Sequence, residues 1–213
     1  MLAAVLAFVP ASALLVVAPG PDTLLVLRNS ARGGRRAGLA TAAGTVTGLV
    51  VWAAAAALGL AALVRASEVG YSVVRWCGAA YLIVLGTQLL WQSKRKHSGD
   101  LDRNADPVRD WPARRGLGHY LAGVGTNLFN PKVGVFFVSF LPVFIPRGAP
   151  VAATSLLLGG VFLTEGLLWL VTIVLLGDRL SAIVRRPAVR RRTERLTGLV
   201  MVAFGVRLAI ERR

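Results

Sequence analysis

The sequence predicts an all-α integral membrane protein whose six transmembrane helices form a 3+3 inverted repeat, with helices 1 and 4 broken at Pro-Gly-Pro and Asn-Pro. Three observations predict this. Apolar residues make up 55% of the 213 residues, and they gather in blocks of about 17 to 27, where a run near 20 is enough to cross the hydrocarbon core. Lysine and arginine collect in alternate gaps between the blocks, as membrane orientation requires. Prolines interrupt two blocks in corresponding positions, each beside a charge, which is the pattern of discontinuous helices around a transport site.

The blocks fall at roughly 2–27, 39–64, 70–92, 117–145, 149–176 and 194–211. The first carries Ala11-Ser12-Ala13, which resembles a cleavage site, but no basic residue precedes the apolar run, so a retained helix is the better reading. The last is short and has Arg207 near its end, so a helix lying in the interface also fits it. The gap after the first span holds Arg28, Arg32, Arg35 and Arg36. The gap after the third runs from Lys94 to Arg115, and the gap after the fifth from Arg179 to Arg195. Together they contain 18 of the 25 basic residues, so all three are expected to face the cytoplasm, with both termini outside. The expected location is the bacterial inner membrane. The net charge of +15 therefore reflects orientation, and no nucleic-acid partner is expected.

The chain divides into a first three-helix repeat (1–92), a polar cytoplasmic linker (93–116) and a second three-helix repeat (117–213), together one membrane domain. Pro19 in the first half answers to Pro131 in the second. Thr47-Gly48-Leu49-Val50-Val51-Trp52 resembles Thr164-Glu165-Gly166-Leu167-Leu168-Trp169, and Arg75-Trp76-Cys77-Gly78 opens its span as Arg195-Leu196-Thr197-Gly198 does. Three spans per repeat is an odd number, so the halves must insert with opposite orientation.

The breaks carry the chemistry. Pro19 and Pro21 lack backbone donors and Gly20 permits unusual dihedrals, so the first helix is interrupted there. Irregular backbone is tolerated at membrane depth only where it is buried in protein or lines a watered cavity. Pro21 suits the first turn of a new half-helix, with Asp22 behind it. Asn130-Pro131-Lys132 makes the second break. Asp22, Lys132 and Glu165 are the ionisable residues that lie clearly within spans and away from their ends, where a charge normally faces a cavity or a partner. Asp22 reads as a helix-start residue or a substrate or proton contact, Lys132 as a counter-ion or a substrate contact, and Glu165 as an interhelical hydrogen bond or a proton carrier. Asn127 and Asn130 share a helix face and read equally as caps or ligand contacts. Gly44 and Gly48 form a G-x-x-x-G pair suited to close helix packing. Trp52 and Trp169 read as core residues rather than a gate.

Several classes lack their motifs. There is no G-x-x-x-x-G-K-[ST] loop, no H-E-x-x-H and no G-x-S-x-G; the histidines, His97 and His119, lie in or beside the linker. The chain is not expected to be an enzyme, and no cofactor or metal is expected. The single cysteine, Cys77, allows no intrachain disulfide.

The segment PGPDTLLVLRNSARGGRRAGLATAAGTVTGLVVW (19–52) resembles the signature of the LysE/RhtB family of bacterial amino-acid exporters. NLFNPKVGVFFVSFLPVF (127–144) resembles its second signature, and GAAYLIVLGTQLL (78–90) its third helix. The resemblance implies a secondary active exporter of amino acids or related small metabolites, driven by the proton gradient, and a homodimer. It carries functional roles to Pro19, Gly20, Pro21, Asp22, Asn130, Pro131 and Lys132. Glu165 and Trp169 resemble an acidic residue shortly before a tryptophan in the family's fifth helix, where aspartate is the expected form. The expected mechanism sets a half-helix N-terminus and Lys132 against the substrate carboxylate, and Asp22 or Glu165 against its ammonium or the counter-moving proton. Two other readings are a non-transporting membrane scaffold or partner subunit, in which these charges merely pair, and a metal-ion exporter, which needs more ligands in the spans.

Overall fold

A computed structural model describes residues 1–18, 20–66, 76, 79–80, 83–84, 86–88, 90–91, 116–146, 148–176 and 187–210. Pro19, Cys77, His97 and all of the linker but Gly116 lie outside the described residues, as does most of the third predicted span. The described residues are helical throughout, with no strand.

Helix α1 (Leu2–Val17) is uninterrupted despite Pro10 in its interior. It stops at Ala18, whose extended conformation (φ −61°, ψ 118°) is what a following proline imposes. Helix α2 (Pro21–Ala66) restarts at once, with Pro21 in the first turn, Asp22 behind it, and Leu24 N–H donating to the Gly20 carbonyl at 3.0 Å. The segment predicted as a loop after residue 27 is instead helical on both sides of Gly34. Arginine, alanine and leucine are good helix formers, so nothing in 28–38 ends the helix except glycine. Gly34 adopts φ 73°, ψ −176°, a conformation essentially reserved for glycine.

The turn at Gly34 reverses the chain. Asn29 Nδ2 donates to Thr41 Oγ1 at 2.8 Å, whereas twelve residues of straight helix would separate them by about 18 Å. The two limbs of α2 thus form a helical hairpin, packed so closely that a Cβ on Gly38 would collide with the Ser30 hydroxyl. Arg32, Arg35 and Arg36 stand exposed at its tip.

Helix α3 (Leu117–Leu128) ends at Phe129, and α4 (Pro131–Val135) begins one residue after Asn130, bending the pair by 49°. Asn130 Oδ1 accepts from the Lys132 N–H at 3.0 Å and so caps α4. The run continues through a π turn (Phe136–Phe140) and a 3-10 turn (Leu141–Phe144) containing Pro142. Helices α5 (Val151–Leu175) and α6 (Pro187–Ile210) complete the fold. The start of α6 is a second difference from the sequence expectation, which places 187–193 in a basic loop.

Among the described residues two helical stretches are long and apolar enough to cross a membrane, Pro21–Gly59, which the turn at Gly34 divides into two limbs, and Val151–Leu175, with a third if Leu117–Leu128 and Pro131–Phe144 count as one bent span. Large apolar side chains such as Leu6, Val50, Leu58, Leu168 and Leu199 project outward. On a water-soluble protein such a surface would invite aggregation; against lipid tails it is the expected surface.

Lipid is as apolar as leucine, so helix association here depends on close packing rather than on hydrophobic transfer. The second limb of α2 meets α3 through glycines: a Cβ on Gly44 would strike the Tyr120 carbonyl, and one on Gly123 the Thr41 carbonyl. Around α4, Phe8, Phe136, Phe137, Phe140, Phe144, Phe162 and Phe204 form a continuous aromatic cluster, with Phe136 and Phe162 stacked at 3.7 Å. Such pairs contribute about 0.5–1.5 kcal/mol each beyond area burial, so the cluster holds α1, α5, α6 and the π and 3-10 turns after α4 together where hydrophobic transfer cannot. At the hairpin tip Arg35 donates to the Leu175 carbonyl at the end of α5 (3.3 Å), and His119 at the start of α3 lies beside Gly33. The hairpin tip, the start of α3 and the end of α5 therefore lie together.

Candidate functional site

The two breaks lie against each other. Asp22 is held in position by the restart of α2 at Pro21, and its Oδ2 accepts from Asn127 Nδ2 and from Asn130 Nδ2, both at 2.9 Å. Asn127 closes α3 and Asn130 caps α4, so the carboxylate of the first break engages both sides of the second. Lys132 does the converse. Its Nζ donates at 2.8 Å to the carbonyl of Ala18, the residue on which α1 ends. That carbonyl has no intrahelical partner and sits at the negative end of a helix dipole, where an ammonium is favoured. Among the described residues neither charge pairs directly with the other: each is taken up by the opposite break.

A cavity of about 60 Å³ opens between the breaks, lined by Gly20, Asp22, Asn130 and Lys132 on one side and by an apolar wall that includes Leu49, Phe136 and Phe162. It has room for about four water-sized groups. Ligand pockets for drug-sized molecules run to several hundred Å³, several times this volume. Gly20 leaves space for the Lys132 side chain, whose Nζ would lie 3.9 Å from a Cβ built there.

The structure thus brings together Gly20, Asp22, Asn130 and Lys132 at the cavity and Asn127 immediately behind Asp22. Pro21 and Pro131 stand exposed at the first positions of their half-helices. Glu165 does not line the cavity, although Gly166 and Trp169 on the same helix do. It lies beside Ser12 of α1, whose hydroxyl donates instead to the carbonyls of Phe8 and Val9, at 2.9 and 3.1 Å. Both Glu165 carboxyl oxygens are buried without a hydrogen-bond partner. Gly48 packs directly on Asn127, and Gly134 on Trp52. Trp169 Nε1 reaches Thr23 Oγ1 at 3.4 Å.

Sequence reasoning missed two contributors. The Ala18 carbonyl is a backbone group with no side-chain signature. Thr45, 1% exposed and on the cavity wall with an unpartnered hydroxyl, looks in sequence like any small residue of a glycine-rich helix. A polar residue one turn from both Gly48 and Thr41 was the only available signal. Among the described residues no three of histidine, cysteine, aspartate and glutamate come together to hold a metal ion.

Helices interrupted mid-span, opposite charges exchanged between the two interruptions, and a cavity between them define a membrane translocator. The chain belongs to the family described as LysE type translocator, whose model matches residues 13–212. It is a transporter of an exporting family, not an enzyme. It is similar to the leucine efflux protein of Klebsiella pneumoniae (29% identical, covering 96% of this chain and 93% of that one). It is also similar to the homoserine/homoserine lactone efflux protein of Salmonella typhi (28%, 97% and 96%), and to the uncharacterized membrane protein YrhP of Bacillus subtilis (28%, 96% and 98%). No solved structure matches the chain.

Proposed function

We propose that this protein is a secondary active exporter of amino acids or related small metabolites, driven by the proton gradient across a bacterial inner membrane. The observation that carries the reading is the exchange of charges between the two breaks at one cavity. A zwitterion needs both signs within a few ångströms, and here the Lys132 ammonium offers donors to a carboxylate while Asp22 Oδ1, buried and unpartnered, offers an acceptor to an ammonium. Two relatives named as efflux proteins for leucine and for homoserine support an amino-acid cargo. Glu165 is assigned the proton, because it stands apart from the cavity with both oxygens unengaged.

The six spans are proposed to form two inverted three-helix repeats. Pro21-Asp22 and Pro131-Lys132 support this, each opening a half-helix with a charge directly behind its proline. The exposed arginines of the hairpin tip, beside the start of α3 and the end of α5, support a single cytoplasmic face there. Substrate entry from that face breaks the Asp22 and Lys132 contacts and lets one repeat rock against the other.

Efflux of labelled amino acids from proteoliposomes, with and without an imposed pH gradient, tests the reading. Gradient-dependent loss is expected, and it is expected to vanish in Asp22→Asn. If Asp22→Asn and Glu165→Gln each left gradient-driven efflux intact, the role assignment would be wrong. If no amino acid moved through folded wild-type protein, weight would pass to the scaffold reading.

A further inference from the structure

We infer that the cavity is built for a neutral amino acid with an apolar side chain, and that Thr45 is a substrate-binding residue that shares the α-ammonium with Asp22. The inference rests on the exporter reading and narrows it. It follows from asking which polar groups of the cavity wall are still unspent. Asn130 spends one amide N–H on Asp22 and its oxygen on the Lys132 N–H, and keeps its second N–H. Thr23 Oγ1 accepts from Trp169. Two lining oxygens are buried with no partner, Asp22 Oδ1 and Thr45 Oγ1, and the Lys132 ammonium keeps donors beyond the one given to Ala18.

One carboxylate oxygen, one hydroxyl and one ammonium are enough to engage the α-ammonium and α-carboxylate common to amino acids. They leave over only neutral donors, the second Asn130 N–H and the Thr23 hydroxyl proton, and no charge. The remaining wall, including Leu15, Leu49, Val133, Phe136, Phe162 and Leu170, is carbon. A lysine side chain would bring a second ammonium with no counter-charge there, since Glu165 is not on the lining. A glutamate side chain would have to share Lys132 with its own α-carboxylate. A threonine or homoserine hydroxyl would find only these neutral donors in an otherwise apolar wall. Leucine, valine and methionine add only carbon or thioether to the apolar wall.

The test is uptake and efflux in proteoliposomes holding the full chain, with labelled leucine, valine, methionine, threonine, lysine and glutamate under one pH gradient. Expected is a kcat/KM for leucine about tenfold above threonine and on the order of a hundredfold above lysine and glutamate. In Thr45→Val, which keeps the side chain's shape, KM for leucine is expected to rise about tenfold; Thr45→Ser, which restores the hydroxyl, is expected to recover most of that loss. Transport that prefers lysine, glutamate or threonine overturns the inference while leaving an amino-acid exporter standing. An unchanged KM in Thr45→Val overturns the role of Thr45. No movement of any of the six through folded protein overturns the exporter reading itself, and the inference with it.

Discussion

Replacing Gly48 by alanine tests how the site is held. A Cβ at Gly48 would lie 2.6 Å from Asn127 Oδ1 and 2.8 Å from its Cβ, distances that real atoms do not adopt. One response is for Asn127 to swing away. Asp22 then loses one of its two amide donors, worth about 1.5–3 kcal/mol for a bond to a charged group. The other response is for α2 and α3 to part, and overpacking of this kind costs about 1–3 kcal/mol. Across the two responses the loss is about 1–3 kcal/mol, which for a chain of this size lowers Tm by roughly 2–12 °C. The assay is thermal denaturation of purified protein in detergent, followed by efflux from proteoliposomes. Gly59→Ala is the control, because nothing lies within 4 Å of the added methyl. A Gly48→Ala protein that melts within a degree of wild type and exports at the same rate would refute the claim that this contact positions Asn127 on Asp22.

Glu165→Gln is expected to abolish the dependence of efflux on the pH gradient while substrate-for-substrate exchange continues, as separate gradient and counterflow measurements would read; gradient-driven efflux at the wild-type rate would move the proton elsewhere. Asn130→Ala removes both the cap on α4 and a donor to Asp22, with an expected loss of roughly 2–4 kcal/mol visible as a fall in Tm. Gly34→Ala adds a methyl that meets no neighbour, yet forces alanine into a glycine conformation at about 1–3 kcal/mol; a Tm equal to wild type would show that the hairpin turns some other way.

Much of this was legible because prolines act locally. Pro21 and Pro131 dictate where half-helices start whatever surrounds them, and the break positions follow from missing donors and a fixed φ. The basic gaps were legible for a similar reason, since charge in hydrocarbon is costly wherever it occurs. The hairpin in α2 was not foreseen as helix: its arginines marked the turn, but their helix propensity carries the helical conformation up to Gly34. The continuation of α6 back to Pro187 has the same origin. Glu165 shows the opposite limit, because a carboxyl in an apolar helix signals a site without saying which neighbour it faces.

By itself the sequence determined that the chain is a helical membrane protein, where its two central helices break, and which charges stand beside the breaks. Those properties depend on residue type and on neighbours a few positions away. Only the tertiary structure decided that Asp22 answers to Asn127 and Asn130, that Lys132 reaches the end of α1, that Thr45 is left unpaired on the cavity and that Glu165 is left outside it. Each of these is a contact between segments far apart in the chain, set by glycines and phenylalanines that bring helices to within a side chain's reach, and such distances are written in no local pattern of residues.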